Sequence, residues 1–247
     1  MKEVISFGAG VNSVAMTILL YKQDKVIPLI FTDTCCECPH TYEYIKYFEK
    51  EFLSKYKQKI IWLSPLTTPE YYPKFIRNKT LEDYILEIKF FPSIKKKFCT
   101  KHYKLIPFKN FAKRNNVSIY YVGFSLEEIN RAKRSKKVIE SMKTIYPLIE
   151  NKLTRIQCYE IIQKEGLKLP KKSSCYFCPF QNIYQWQILY QEYPELFQRA
   201  KQLEKCINKN RKSYENSYIT LLPNKMTLEQ LEKKFQNSQN LSFDFFK

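Results

Sequence analysis

The first forty residues contain the groups best suited to chemistry. An apolar run beginning at Val4 enters the short loop Gly8–Ser13, and a second apolar run ends at Thr32-Asp33. A strand that enters a small-residue turn before a helix is suited to phosphate, because unpaired N–H groups and the positive end of the helix dipole converge there. Gly8 and Gly10 carry no Cβ, so an anion can approach the main chain. Two of the chain's four glycines lie here, which favours an anion site, with an ordinary strand-to-helix turn as the alternative.

The eight cysteines are a second set of reactive groups. Cys175 and Cys178 have the C-x-x-C spacing of a metal knuckle, whose two thiolates bind one ion or cluster. Cys35-Cys36-x-Cys38 follows Asp33 directly. A positive field favours thiolates there, so these residues are candidates for a persulfide carrier or a further cluster ligand. The alternative is that all of these cysteines are ordinary reduced thiols.

The elements that position these groups alternate between strands and helices. Short β-rich runs are predicted at Val4–Phe7, Val26–Thr32, Lys59–Leu63 and Ile119–Val122, and amphipathic stretches separate them. This alternation predicts an α/β fold with a parallel sheet and right-handed crossovers. Ligands of such sheets bind beyond the carboxyl ends of the strands, where both the glycine loop and Asp33 fall. We expect a nucleotide-binding α/β domain over residues 1–150 and a mainly helical region over residues 151–247.

The bulk composition describes a basic chain without a membrane segment. Lys and Arg exceed Asp and Glu by 42 to 24, a formal net charge of +18. This excess favours a polyanionic partner such as tRNA or DNA, although an AT-rich coding sequence explains the lysines equally well. No apolar stretch approaches the length of a membrane span, and the first residues lead directly into a strand. We therefore expect a cytoplasmic protein with reduced cysteines and no membrane partner.

Several segments resemble one family in order along the chain. Gly8–Met16 resembles the PP-loop of the adenine-nucleotide alpha-hydrolase superfamily, usually S-G-G-x-D-S, and Phe31–Tyr42 resembles the T-D-T-G-x-E-x-P-x-T-Y segment of its phosphoadenosine phosphosulfate (PAPS) reductase branch. The other matching positions are Cys99 with Lys104 and Pro107, Gly123-Phe124 with Glu128 and Arg131, Tyr146–Glu150 with Thr154, and Ser173–Phe180. The resemblance implies a Rossmann-like fold that binds ATP or a related adenine nucleotide, with Mg²⁺.

The resemblance also implies which residues hold the nucleotide. The phosphate-binding positions correspond to Ser6, Gly8, Ala9, Gly10, Val11, Asn12 and Ser13, and the flanking positions to Thr32, Asp33, Gly123 and Arg131. Two positions depart from the family, because several relatives have Lys at Val11 and Asp at Asn12. Asp33 is expected to hold a ribose hydroxyl, to bind Mg²⁺ or to cap the next helix. The candidate catalytic residues are Asp33, Asn12 and Cys36.

A metal centre is implied by the same resemblance. Related reductases hold an iron–sulfur cluster on a Cys-Cys pair and a later C-x-x-C; here Cys99 matches the first position and Thr100 replaces the second. The predicted cluster ligands are Cys99, Cys175 and Cys178, with Cys36 as a candidate for the fourth. Cys35, Cys38, Cys158 and a non-protein ligand are the alternatives for that fourth position. Zinc is the alternative, since His102 follows Cys99 by three residues and would complete a Cys₃His site.

Two functions of different class fit these residues. The first is an ATP pyrophosphatase or sulfurtransferase that adenylates a nucleic acid and introduces sulfur, with PAPS or adenosine phosphosulfate reduction as its variant. Family reductases use a cysteine in a C-terminal tail, and residues 207–247 contain none, which favours the sulfurtransferase. The second is a non-catalytic nucleic-acid-binding module with a structural metal site. The oligomeric state is open, with a homodimer as one option.

Overall fold

The sheet consists of parallel strands only. The computed structural model describes residues 2–135, 142–209 and 218–239. Within these ranges the five strands are β1 (Glu3–Ser6), β2 (Leu29–Thr32), β3 (Ile60–Leu63), β4 (Ile119–Val122) and β5 (Lys143–Ile145). They pair in the order β3-β2-β1-β4-β5, and every pairing is parallel. The predicted parallel α/β sheet is confirmed, and β1 lies at its centre.

Helices connect the strands and make up the C-terminal part. The α-helices in the described ranges are α1 (Val11–Lys22), α2 (Pro39–Glu51), α3 (Leu81–Ile88), α4 (Ile106–Arg114), α5 (Ile129–Arg134), α6 (Pro147–Glu150), α7 (Arg155–Lys164), α8 (Ile183–Glu192), α9 (Pro194–Asn208) and α10 (Leu228–Gln239). A π-helical turn, Cys99–Leu105, leads into α4. No helix in the described ranges is long and apolar enough to span a membrane.

The chain divides into two compact units. The sheet unit comprises Met1–Thr80 and Cys99–Ser173, and the helical unit comprises Leu81–Phe98 and Ser174–Lys247. This division differs from the predicted boundary at residue 150. Helix α7 packs on α1, and its Cys158 and Ile162 belong to the hydrophobic core of the sheet unit. Apolar burial therefore joins residues 151–173 to the sheet unit, whereas the segment Leu81–Phe98, which contains α3, belongs with the C-terminal helices.

The sheet unit buries α1 almost completely. Val14, Ala15 and Met16 are inaccessible to solvent and pack in the same core as Ile5 and Leu29. Phe48 of α2 stacks at 5.1 Å between ring centroids on Phe52, which directly follows the helix, and both rings belong to this core. Because α1 is enclosed, its N-terminus cannot shift freely at the carboxyl end of β1.

Strand β5 was not among the predicted strands, because its sequence lacks an apolar signature. It is three residues long, Lys143-Thr144-Ile145, and pairs with β4 alone in the described sheet. Edge strands tolerate polar side chains, and a run this short shows no reliable alternation.

Candidate nucleotide site and cysteine loops

The loop Gly8–Gly10 begins helix α1 at the carboxyl end of β1. Ala9 adopts a left-handed backbone conformation with φ of 54° and is buried. The hydroxyl of Ser13 accepts hydrogen bonds from the N–H groups of Gly8 and Gly10 at 3.3 and 3.2 Å and donates to the Gly10 carbonyl at 3.0 Å. Ser13 therefore holds the loop in shape from within the first turn of the helix.

The space beside the loop differs sharply between its glycines. Among the atoms of the described residues, a Cβ on Gly8 would meet none within 4 Å, and one on Gly10 would meet the Ser173 hydroxyl alone, at 3.7 Å. The outer side of the loop thus has room for a ligand against the main chain, as phosphate binding requires. Ser6 and Thr32, two further predicted positions, are the last residues of β1 and β2.

Gly123 closes the opposite side of the loop. A Cβ at Gly123 would lie 2.9 Å from the backbone carbon and oxygen of Asn12 and from the Ser13 nitrogen. Only glycine allows the segment after β4 to lie so close to the start of α1. Strand order reverses at β1, and the crevice between β1 and β4 is where open α/β sheets bind ligands.

The segment after β4 supplies charged and aromatic groups beside the loop. The Asn12 amide donates to Glu128 Oε2 at 2.8 Å, and Arg131 Nη1 donates to Glu128 Oε1 at 2.6 Å. The Arg131 guanidinium also lies 4.4 Å from the centroid of the Phe124 ring, which stacks on Tyr146. Arg131 is therefore held by both a carboxylate and a ring, with most of its side chain exposed.

These contacts explain the two departures from the PP-loop pattern. Val11 is buried in the hydrophobic core, where a lysine would be desolvated. Asn12 donates to Glu128, whereas an aspartate would place a second carboxylate against it. The Asn12 side-chain oxygen Oδ1 is buried and has no hydrogen-bond partner among the described residues, so it can accept from a donor or bind a cation of a ligand.

Asp33 is a buried carboxylate bound by neutral donors. Its Oδ1 accepts from the Cys35 N–H at 2.8 Å and from the Tyr42 hydroxyl at 2.9 Å. Burial raises the pKa of Asp33 above its usual value, and the two hydrogen bonds offset only part of that effect. Burial likewise raises the pKa of Tyr42, so this hydroxyl remains a donor. Tyr42 was not among the predicted site residues, although it closes the matched segment.

Glu37, a second carboxylate in the loop after β2, is paired with a lysine. The Glu37 side chain is 1% exposed and forms an ion pair with Lys104 at 3.1 Å. Lys104 belongs to the π-helical turn before α4. That turn therefore carries both Cys99 and the cation that neutralises Glu37.

The three clustered cysteines differ in exposure. Cys36 and Cys38 are buried, whereas Cys35 is half-buried, with its Sγ 3.2 Å from the Ser64 hydroxyl. Cys35 also adopts a left-handed backbone conformation with φ of 60°. Cys35 therefore presents its sulfur more openly than the predicted Cys36. Cys158, considered as a fourth ligand on sequence grounds, is inaccessible in the core, and burial raises its pKa to about 11.

The predicted metal ligands come from both units. Cys99 and His102 lie in the sheet unit, and Cys175 and Cys178 in the helical unit. Among residues 2–135, 142–209 and 218–239, no three His, Cys, Asp or Glu side chains are grouped as a metal site. The His102 ring packs edge-on against Phe75 at 5.1 Å, and burial lowers its pKa. The iron–sulfur cluster and its zinc alternative stay predictions.

The C-x-x-C turn is held firmly within the helical unit. The Cys178 N–H donates to the Cys175 carbonyl at 3.0 Å. Between them, the Tyr176 hydroxyl donates to Glu82 of α3, which also accepts two hydrogen bonds from Arg199 of α9. The two thiols are thus carried on a turn that side chains from two helices support, and nothing in the sequence indicated this support.

One family model covers more than half of the chain. The model of the phosphoadenosine phosphosulfate reductase domain matches residues 2–171. The chain belongs to this family. A relative, an uncharacterized protein of Methanocaldococcus jannaschii, is 25% identical over 205 residues, which are 78% of this chain and 45% of that protein. The chain thus spans less than half the length of the curated relative it matches.

Two solved structures of enzymes are similar at a low level. The PAPS reductase of Candida auris, in complex with phosphate, is 14% identical with a TM-score of 0.49, covering 71% of this chain and 81% of that one. The U34-tRNA thiolase NcsA of Methanococcus maripaludis, with its 4Fe–4S cluster, is also 14% identical with a TM-score of 0.49, covering 98% of this chain and 82% of that one.

Proposed function

We propose that this protein binds ATP through Gly8–Ser13 and uses it to introduce sulfur into a nucleic acid. The observation that carries the nucleotide part is the loop itself, open beside Gly8 and closed by Gly123 in the crevice where the strand order reverses. Family membership supports an adenine nucleotide as the ligand. The net charge of +18 supports a polyanionic substrate.

The proposed reaction has two steps. A substrate oxygen attacks the α-phosphorus of ATP, so the bond to pyrophosphate breaks and an adenylated substrate forms. A sulfide-level donor then replaces AMP, which leaves with that oxygen. The backbone N–H groups of the loop stabilise negative charge on the phosphates, and Arg131 supplies the positive charge that Val11 lacks. Asp33 is proposed to hold a ribose hydroxyl or Mg²⁺.

Product analysis tests the proposal directly. We expect ATP to yield AMP and pyrophosphate in the presence of a nucleic-acid substrate, and we expect Gly10→Val to abolish ATP binding in a folded protein. Unchanged ATP affinity in a folded Gly10→Val variant would show that Gly8–Ser13 does not bind the phosphates. ATP binding without turnover would favour the non-catalytic binding module.

The metal centre is the second part of the proposal. Thiolate pairs at C-x-x-C spacing suit iron–sulfur clusters and zinc alike. Metal analysis and an absorption spectrum of anaerobically purified protein distinguish the two. His102→Ala is expected to spare a cluster held by Cys99, Cys175 and Cys178 but to weaken a zinc site. Iron with sulfide-to-iron charge-transfer absorption that persists in His102→Ala supports the cluster.

A further inference from the structure

We propose that the helical unit binds unpaired nucleotides on a surface of three lysines and two aromatic rings. This lysine–aromatic surface consists of Lys95, Lys96, Lys97, Phe180 and Tyr184, all of them in the helical unit. The inference rests on the proposed function only in taking a nucleic acid as the substrate. It goes beyond that function by naming the surface to which the nucleic acid binds.

One lysine of the surface contacts one of its rings, and a second lysine contacts Phe90, a further ring of the helical unit. The Lys97 ammonium lies 5.3 Å from the centroid of the Phe180 ring, and the Lys96 ammonium lies 5.5 Å from that of Phe90. Phe180 is 39% exposed and Tyr184 is 67% exposed. A ring offers a stacking face to any base, and an adjacent ammonium pairs with the phosphate between bases.

Helix α8 holds Tyr184 outward. Trp186 and Leu189 on the same helix are fully buried, which fixes the rotation of α8 about its axis. Asn182 caps the helix by accepting from the Gln185 N–H at 2.9 Å, and the Gln185 side chain accepts from the Asn182 N–H in return. Tyr184 in the first turn is therefore a large exposed ring on a rigid support.

The charge of the surface is complementary to phosphate. Residues 89–98 contain four lysines and no acidic residue, and residues 174–191 contain no acidic residue either. The Lys97 to Phe180 contact connects these two segments. Lys95, Lys96 and Lys97 are all exposed, so a phosphate can reach them without moving a buried group. Interleaved rings and cations favour a single strand, whose bases are free to stack, over a duplex.

Salt-dependent binding tests the lysines. The probe is a fluorescent 20-nucleotide single-stranded RNA, with its duplex as a second probe, followed by anisotropy between low and physiological salt. We expect the single strand to bind more tightly than the duplex. The slope of the logarithm of the binding constant against the logarithm of the salt concentration should decrease in magnitude by about 2 in the triple variant Lys95→Gln/Lys96→Gln/Lys97→Gln, because each phosphate contact of a single strand contributes about 0.7. The matched control is Lys109→Gln/Lys113→Gln/Lys164→Gln, three exposed lysines of the sheet unit with the same change of charge.

Conservative substitution tests the ring. Tyr184→Leu is expected to weaken single-strand binding about tenfold, whereas Tyr184→Phe keeps the wild-type affinity, because stacking needs the ring and not the hydroxyl. Tyr184 is exposed, so both variants are expected to fold. ATP affinity, measured alongside, stays unchanged in every variant of the surface.

The outcomes separate this inference from the proposed function. Four results would each overturn the proposed surface: equal losses of RNA affinity in the two lysine triple variants, wild-type RNA affinity in Tyr184→Leu, tighter binding of the duplex than of the single strand, or tighter binding to anionic vesicles than to RNA. If RNA still stimulates AMP formation in those cases, the proposed function stands without the surface. Absence of RNA binding at low salt would overturn both the surface and the nucleic-acid part of that function.

Discussion

The carboxyl groups of Glu128 after β4 and Asp33 after β2 have opposite surroundings. After β4, Glu128 is partly exposed and meets the cation of Arg131 and the amide of Asn12. After β2, Asp33 is buried among neutral donors, and its pKa is raised. The pairing of Glu128 with Arg131 requires little desolvation of either group, and it leaves the Arg131 guanidinium exposed beside the loop. The second arrangement keeps a desolvated carboxyl group in place at a cost in stability, in keeping with the ligand contact proposed for Asp33.

Gly123→Ala is expected to have the largest effect on the β4 side. The new Cβ would press on backbone atoms of Asn12 and Ser13 that the enclosed helix α1 holds in place, so stability should fall by about 3 kcal/mol. Nucleotide binding should be lost with it. Gly8→Ala is the matched change, because its Cβ meets open space. Chemical denaturation should show normal stability for Gly8→Ala with weakened ATP binding, and equal stability losses in the two variants would contradict this explanation.

Lys104→Met tests the charged part of the β2 side. The change removes the ammonium that pairs with the buried Glu37 carboxylate. Breaking a buried pair costs several kcal/mol, and about 2 kcal/mol is expected here because Lys104 is itself half-exposed. Lys104→Arg keeps the charge and serves as the control. Urea midpoints should fall in the order wild type, Lys104→Arg, Lys104→Met, and a Lys104→Met variant as stable as the wild type would show that the pair with Glu37 does not stabilise the fold.

Asp33→Asn is expected to stabilise the folded protein above neutral pH by about 1 kcal/mol. The pKa of Asp33 is raised in the folded protein, so the native carboxyl binds its proton more tightly than the unfolded chain does. Its contribution to the free energy of unfolding therefore falls as pH rises from the ordinary value through the raised one. In Asp33→Asn the amide oxygen can still accept hydrogen bonds from Cys35 and Tyr42. Because the amide does not ionise, the variant lacks this dependence of stability on pH.

Unfolding measured from pH 4 to pH 8 checks the Asp33 prediction. The difference between Asp33→Asn and wild type should grow with pH and level off above the raised pKa. A difference that does not change with pH would mean that Asp33 ionises normally. ATP binding should weaken in the same variant, because the carboxylate is a proposed ligand contact.

Arg131→Gln is expected to have the smallest effect on stability. The pair with Glu128 is exposed, and such pairs contribute about 0.5 kcal/mol. ATP affinity should nevertheless fall about tenfold or more, as for a lost hydrogen bond to a charged group. Calorimetric titration with ATP measures this, with Arg134→Gln on the same helix as the control. Equal ATP affinities in the two variants would exclude Arg131 as the phosphate cation.

Much of the fold and part of the site were predictable from local patterns. The strand at Ile119–Val122 lies where it was predicted, and α1, α7 and α10 begin within three residues of Val14, Thr154 and Thr227, the starts that the sequence pattern predicts. Clear caps mark the starts of the two later helices, Thr154 before α7 and Thr227 before α10. The strand β5 and the assignment of residues 151–173 to the sheet unit were not predictable, because both depend on packing between distant segments.

The sequence by itself determined the family, the parallel sheet and the position of the glycine loop at the end of β1, because strand patterns and small-residue turns are local properties of the chain. Only the tertiary structure decided that Gly123 touches Asn12, that Tyr42 holds Asp33, and that Cys35 is more open than Cys36. Such contacts join residues far apart in the chain or depend on burial by other segments. Contact distance and desolvation are set by how all the segments pack together, and residue spacing along the chain carries no record of either.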